Sequence, residues 1–182
     1  MKKSELSYSG LKDLKSSPNV HNRQKITISV IGGHETDAKT EKLAENIGKM
    51  IAELDAVLVC GGLDGVMKAA ARGCQQAGGL TIGLLPGKEK SDANPFIDIA
   101  LPTTIGFARN AMVACSAHVV IALPGSHGTS SEISYALVYK RPVIDLGGWG
   151  VKGMIKASNV DDARLVIVEI LNGMKNSLTS GC

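Results

Sequence analysis

Four times along this 182-residue chain a short apolar run stops at a glycine-bearing turn. The runs are Lys25 to Ile31, Ala56 to Cys60, His118 to Leu123 and Pro142 to Leu146. The turns are Gly32-Gly33, Gly61-Gly62, Pro124-Gly125 and Gly147-Gly148. β-Branched runs of this length read as buried strands. Leu80 to Leu85 reads as another, and Ile97 to Leu101 as a shorter one. Helical periodicity fills the intervals. Leu43, Ala44, Ile47, Met50, Ile51 and Leu54 recur on one face behind Asp37, an expected N-cap. Val66, Met67, Ala70, Ala71 and Cys74 recur on another, which stops at Gly78-Gly79. Gly106 to Ser116 reads as a helix, as does Ile133 to Tyr139, opened by Gly128 and Thr129. Asp161 is the expected cap of a last helix ending near Asn172. Strands alternating with helices predict an α/β chain: a Rossmann-like, doubly wound parallel sheet in three α/β/α layers. Such sheets bind ligands outside the carboxyl ends of their strands, where all four turns fall.

Residues 1–24 are polar and read as a flexible arm, leaving residues 25–182 as a single ligand-binding domain. The chain has 20 Lys and Arg against 17 Asp and Glu. The arm holds five of the basic and two of the acidic residues, so the remainder carries 15 of each sign. A neutral domain with 3% aromatic residues is not expected to bind nucleic acid. No apolar stretch is long enough to span a membrane, and no apolar run follows Lys2 and Lys3, so a cytoplasmic location is expected. The four cysteines show no CxxC spacing and the histidines do not cluster, so no intrinsic metal is expected. Cys60 ends a strand, which leaves a reactive thiol open beside the commoner reading of a core thiol. Pro86 to Pro95 is a polar loop, either a flap or simply solvated.

The stretch Leu123-Pro-Gly-Ser-His-Gly-Thr-Ser-Ser-Glu132 carries the clearest chemistry. A strand, a tight turn and a helix N-terminus make an anion site, because free N–H groups and the helix dipole face outward there. Thr129 offers a hydroxyl to a phosphate or to the helix cap. Glu132 lies three residues on and shares its face. A carboxylate repels phosphate, so it suits a base or an acceptor for a sugar or heterocycle; the plain alternative is a solvated Glu on a capped helix. Arg109 stands near a helix N-terminus, where a cation opposes the dipole. Its partner is either a ligand phosphate or Glu132, unless it points into water.

Three motifs together resemble the family once labelled "possible lysine decarboxylase", which includes the LONELY GUY phosphoribohydrolases and the molybdenum cofactor carrier proteins. Cys60 to Met67 is similar to its GGGxxGxM turn, Phe107-Ala108-Arg109-Asn110 to its Arg-bearing helix, and Pro124 to Glu132 to its PGGxGTxxE. The resemblance runs from about Ile26 to Ile170. It implies a hydrolase in which Arg109 and Glu132 are the catalytic pair, or a carrier of the phosphorylated pterin. In either, Gly32, Gly33, Gly61, Gly62, Gly65, Met67, Gly125, Ser126, His127, Gly128 and Thr129 would hold a small phosphate-bearing ligand. The chain departs from the hydrolase pattern at Cys60, Asn110 and Ser126, and its Arg-Asn pair looks more like the carrier branch. The resemblance also implies a homodimer or homotetramer. Pyridoxal phosphate is not expected: the turns hold no Schiff-base Lys, and Lys68 and Lys140 lie on helices.

Overall fold

A computed structural model describes residues 25–179. The expected arm and Cys182 lie outside the described residues. In chain order the elements are β1 (Thr27–Ile31), α1 (Ala38–Glu53), β2 (Val57–Cys60), α2 (Val66–Gln76), β3 (Thr81–Leu85), β4 (Ile99–Pro102), α3 (Asn110–Cys115), β5 (Val119–Ala122), α4 (His127–Val138), β6 (Val143–Asp145), β7 (Ile155–Lys156) and α5 (Val160–Thr179). Short 3-10 turns at Lys90–Asp92 and Gly106–Arg109 precede β4 and α3.

All seven strands pair in parallel, in the order β4-β3-β2-β1-β5-β6-β7. Winding runs one way from β1 through β4 and the other way from β5, so the switch point lies between β1 and β5. The central strands β1, β2, β5 and β6 are buried almost throughout, as their unbroken apolar runs require. Ile28, Val30, Leu58, Val119 and Ile121 face α1, α2 and α5 on one side of the sheet. Ile31, Val59, Val120 and Ala122 face α3 and α4 on the other. The expected three-layer, doubly wound architecture is the one found.

Local signals held with three adjustments. Asp37 caps α1, its carboxylate accepting the Thr40 N–H at 2.7 Å. The cap of α5 is Asn159 rather than Asp161: Asn159 accepts the Asp162 N–H at 2.9 Å, and Asp162 in turn accepts from Ser158. The helix also runs on to Thr179. Strand β7 has only two residues, both exposed, and no apolar pattern announces it.

Loop 86–95 is tethered at both ends. Gly106 donates to Pro86 O and Thr104 to Gly87 O, while the buried Asn94 side chain donates to Gly62 O at 3.1 Å and Leu63 O at 2.8 Å.

Candidate functional site

Gly33 ties the turns together. Its N–H donates to Pro124 O at 2.9 Å and its carbonyl accepts from Val66 N at 3.0 Å, so the turns after β1, β2 and β5 meet at one residue. A Cβ on Gly65 would lie 2.1 Å from His34 O and 2.4 Å from Gly33 O, and Gly65 has φ +66°. Only glycine fits so close to another backbone. A Cβ on Gly125 would lie 2.9 Å from Gly33 N and 2.2 Å from the Thr129 hydroxyl oxygen.

A cavity of about 370 Å³ opens between these turns at the switch point. Gly32, Gly33, Gly61 and Met67 form one side; Ser126 just ahead of α4 and Gly128, Thr129 and Glu132 on it form the other, with Arg109 between. A second cavity, of about 550 Å³, adjoins it and shares Gly33, His34 and Ser126. Gly125 lines only this second one, and Gly62, Gly65 and His127 line neither. His34, Leu63, Phe107 and Asn110 also line the first cavity. Phe107 and Asn110 lie in the Arg109 motif, Leu63 in the Cys60 to Met67 turn, and His34 follows Gly33, so position within or beside a motif was the available signal.

Arg109 and Glu132 are both buried, 5% and 6% exposed. Arg109 Nη1 lies 3.6 Å from Glu132 Oε1, so Arg109 does not point into water and Glu132 is not solvated. Gly61 makes room for the guanidinium: a Cβ there would lie 2.4 Å from both Arg109 terminal nitrogens and 2.6 Å from Met67 Sδ. Arg109 Nε is buried without a partner. At 3.6 Å the pair is charge attraction without a hydrogen bond. Burial therefore prevails over attraction, and the Glu132 carboxyl is pushed up to about 7. Burial likewise lowers the pKa of Arg109, partly offset by Glu132.

Helix α4 begins at His127 behind Ser126, whose side chain makes no cap bond; Ser126 O accepts from Ser130 N at 3.0 Å. The N–H groups of His127, Gly128 and Thr129 precede the first intrahelical donor and point toward the turn. Asn110 fixes this end, donating to Ser131 Oγ at 3.0 Å and to Gly128 O at 3.4 Å. Where the hydrolase pattern has a Lys, this chain thus has a side chain that joins α3 to α4.

Cys60 is fully buried and does not line either cavity; burial pushes its thiol up to about 12, which makes it a core thiol. Among the described residues no three His, Cys, Asp or Glu side chains are placed to hold a metal. No helix among them is long and apolar enough to cross a membrane.

The model of the SLOG cluster4 family matches residues 25–174. The chain belongs to the SLOG cluster4 family. An uncharacterized protein from Archaeoglobus fulgidus is 43% identical over 119 residues, 65% of this chain and 78% of that protein. Among solved structures, the molybdenum cofactor binding protein from Rippkaea orientalis is 34% identical with a TM-score of 0.77, covering 82% of this chain and 99% of that one. The molybdenum cofactor carrier protein of Chlamydomonas reinhardtii is 31% identical with a TM-score of 0.75, over the same shares. This SLOG chain thus has the family and the carrier-type relatives that its three motifs resemble.

Proposed function

We propose that this chain binds a phosphorylated pterin, the molybdenum cofactor, and holds it without cleaving it. The observation that carries the reading is the switch-point cavity, floored by glycine backbone and ending on the N-terminus of α4. Its charged lining is one Arg and one Glu that offset each other. A flat ring suits the slot between the turns. The amino-pyrimidine edge of a pterin offers N–H donors to Glu132, and its carbonyl offers an acceptor to the unpartnered Arg109 Nε. The N–H groups that open α4 suit its phosphate. The metal and its dithiolene are cargo. The likeness to two structures described as molybdenum cofactor binding or carrier proteins supports the same ligand.

The reading includes a homodimer or homotetramer in the cytoplasm, with a small molecule rather than nucleic acid or a membrane as partner. The test is co-elution. Cofactor released from a donor enzyme is mixed with the protein and gel-filtered, and bound pterin is read by fluorescence after oxidation. Near-stoichiometric pterin with the wild type and little with Arg109→Ala is expected; no pterin with the wild type overturns the reading.

A second reading has its own observation. A buried carboxyl titrating near 7 beside an Arg is poised for proton transfer at neutral pH. That suits hydrolysis of a nucleoside 5′-monophosphate to base and ribose 5-phosphate, with Glu132 stabilising the ribosyl cation. Free base released from a nucleotide panel by the wild type but not by Glu132→Ala would favour it over the carrier.

A further inference from the structure

The second cavity differs in chemistry from the first. Glu35, Thr36, Asp37 and Thr40, from the loop after β1 and the start of α1, form its outer wall. Hydroxyls and carboxylates thus stand where the inner chamber has the apolar side chains of Leu63, Met67 and Phe107, while Gly33 and Gly125 still supply glycine backbone. The outer chamber is the larger, about 550 Å³ against 370 Å³. The two chambers meet at Gly33, His34 and Ser126, and Ser126 is the residue from which α4 starts.

This sequence of environments selects among ligands. The inner chamber takes a flat ring. The junction, with the α4 N–H groups and the His34 imidazole beside it, takes an anion. Beyond the junction two carboxylates repel a further phosphate but accept hydrogen bonds from neutral hydroxyls. Asp37 Oδ1 is engaged by Thr40 N, at 2.7 Å, which leaves Oδ2 to accept. In doubly wound folds the carboxylate that accepts from ribose hydroxyls comes about 20 residues after the first glycine turn; here Glu35 and Asp37 follow that turn directly. A monophosphate that fills the inner chamber and the junction leaves the outer chamber unused.

We propose that the two chambers form one site for a dinucleotide: a flat heterocycle inside, its phosphates at the junction, and a nucleoside outside whose sugar hydroxyls donate to Glu35 and Asp37. This rests on the pterin reading above and extends it from the monophosphate to the form joined through pyrophosphate to a nucleoside.

The experiment compares two probes on full-length protein by calorimetry: the metal-free oxidised pterin phosphate, and the same pterin joined through pyrophosphate to guanosine. Wild type is set against the double variant Glu35→Gln, Asp37→Asn. Asn caps helices as well as Asp does, so α1 keeps its start. The readout is the ratio of the two affinities. Two hydrogen bonds to ionised groups predict that wild type favours the dinucleotide by about tenfold or more, and that the ratio falls toward one in the double variant. Equal binding of both probes by wild type overturns the proposal and leaves the pterin reading standing. A ratio unchanged in the double variant overturns the role given to Glu35 and Asp37. Failure of both probes to bind wild type overturns the pterin reading and this extension together.

Discussion

Glu132 sits in a cavity wall 3.6 Å from Arg109, and its carboxyl titrates near 7 instead of near its ordinary value of 4.5. The folded chain therefore holds this proton more tightly than the unfolded chain. The stability it contributes is full below about 4.5 and is lost as pH rises through about 7. The loss is on the order of 3 kcal/mol across that window. Glutamine mimics the neutral acid. Urea denaturation should thus place Glu132→Gln within about 1 kcal/mol of wild type at pH 5 and about 3 kcal/mol above it at pH 8. A variant less stable than wild type at pH 8 would mean that the ion pair outweighs burial. Gly61 tests the same pair from the other side. An added Cβ meets the Arg109 guanidinium and Met67 Sδ, both side-chain ends that can shift. Gly61→Ala should therefore move Arg109 and weaken pterin binding by about tenfold, since a charge-assisted contact is lost, with the melting temperature little changed. A large stability loss with intact binding would show that Gly61 serves packing alone. The family resemblance implied that Arg109 and Glu132 act as a pair, while the residues themselves left Arg109 open between a ligand phosphate, Glu132 and water. Neither could show that the Gly33 N–H is spent on Pro124 O, because turn-to-turn bonds depend on tertiary placement.

Helices α1 and α2 cross at backbone contact. A Cβ on Gly48 would lie 1.9 Å from Ala70 O, and one on Gly73 would lie 1.9 Å from Glu45 O. Arg72 bridges Glu41 and Glu45 across the same crossing, at 3.0 and 2.8 Å. Backbone cannot yield as a side chain does, so the glycines should set the geometry. Gly73→Ala is expected to cost about 3 kcal/mol or more, and Arg72→Ala about 1 kcal/mol, since the arginine is partly solvated. Thermal denaturation of both variants checks the order; equal losses would give the ion pairs the larger role. This crossing positions α2, and with it the turn that carries Gly61. Elements of this kind were legible where burial writes a pattern. The central strands are apolar throughout and α1 shows a full amphipathic face, so both were placed closely. The exposed β7 carries no such pattern, and the expected cap Asp161 gave way to Asn159 because residue type alone does not tell neighbouring Asn and Asp apart as caps.

The outer surface of α3 and α4 is unusually apolar for a neutral domain. Phe107 just ahead of α3 is 84% exposed and Met112 on it 43%; on α4, Val138 is 74% and Tyr139, just past its end, 63% exposed. Tyr135, Val138 and Tyr139 stand at i, i+3 and i+4 and so share one face. Exposed clusters of this kind on soluble proteins mark interaction sites. The proposed homodimer or homotetramer would use this face, and it would bear on the site, because Phe107 also lines the inner cavity. A partner laid across Phe107 would shield the mouth of that cavity from water. Light scattering at micromolar concentration is expected to give a dimer or tetramer for wild type and a monomer for Val138→Asp, Tyr139→Asp, with the circular dichroism of the two alike. Neither substituted residue lines the inner cavity, so weaker pterin binding by the monomeric variant would trace to the uncovered Phe107. A monomeric wild type would remove the assembly altogether. An oligomer that survives both substitutions would move its interface to another face and leave Phe107 as a solvent-facing rim.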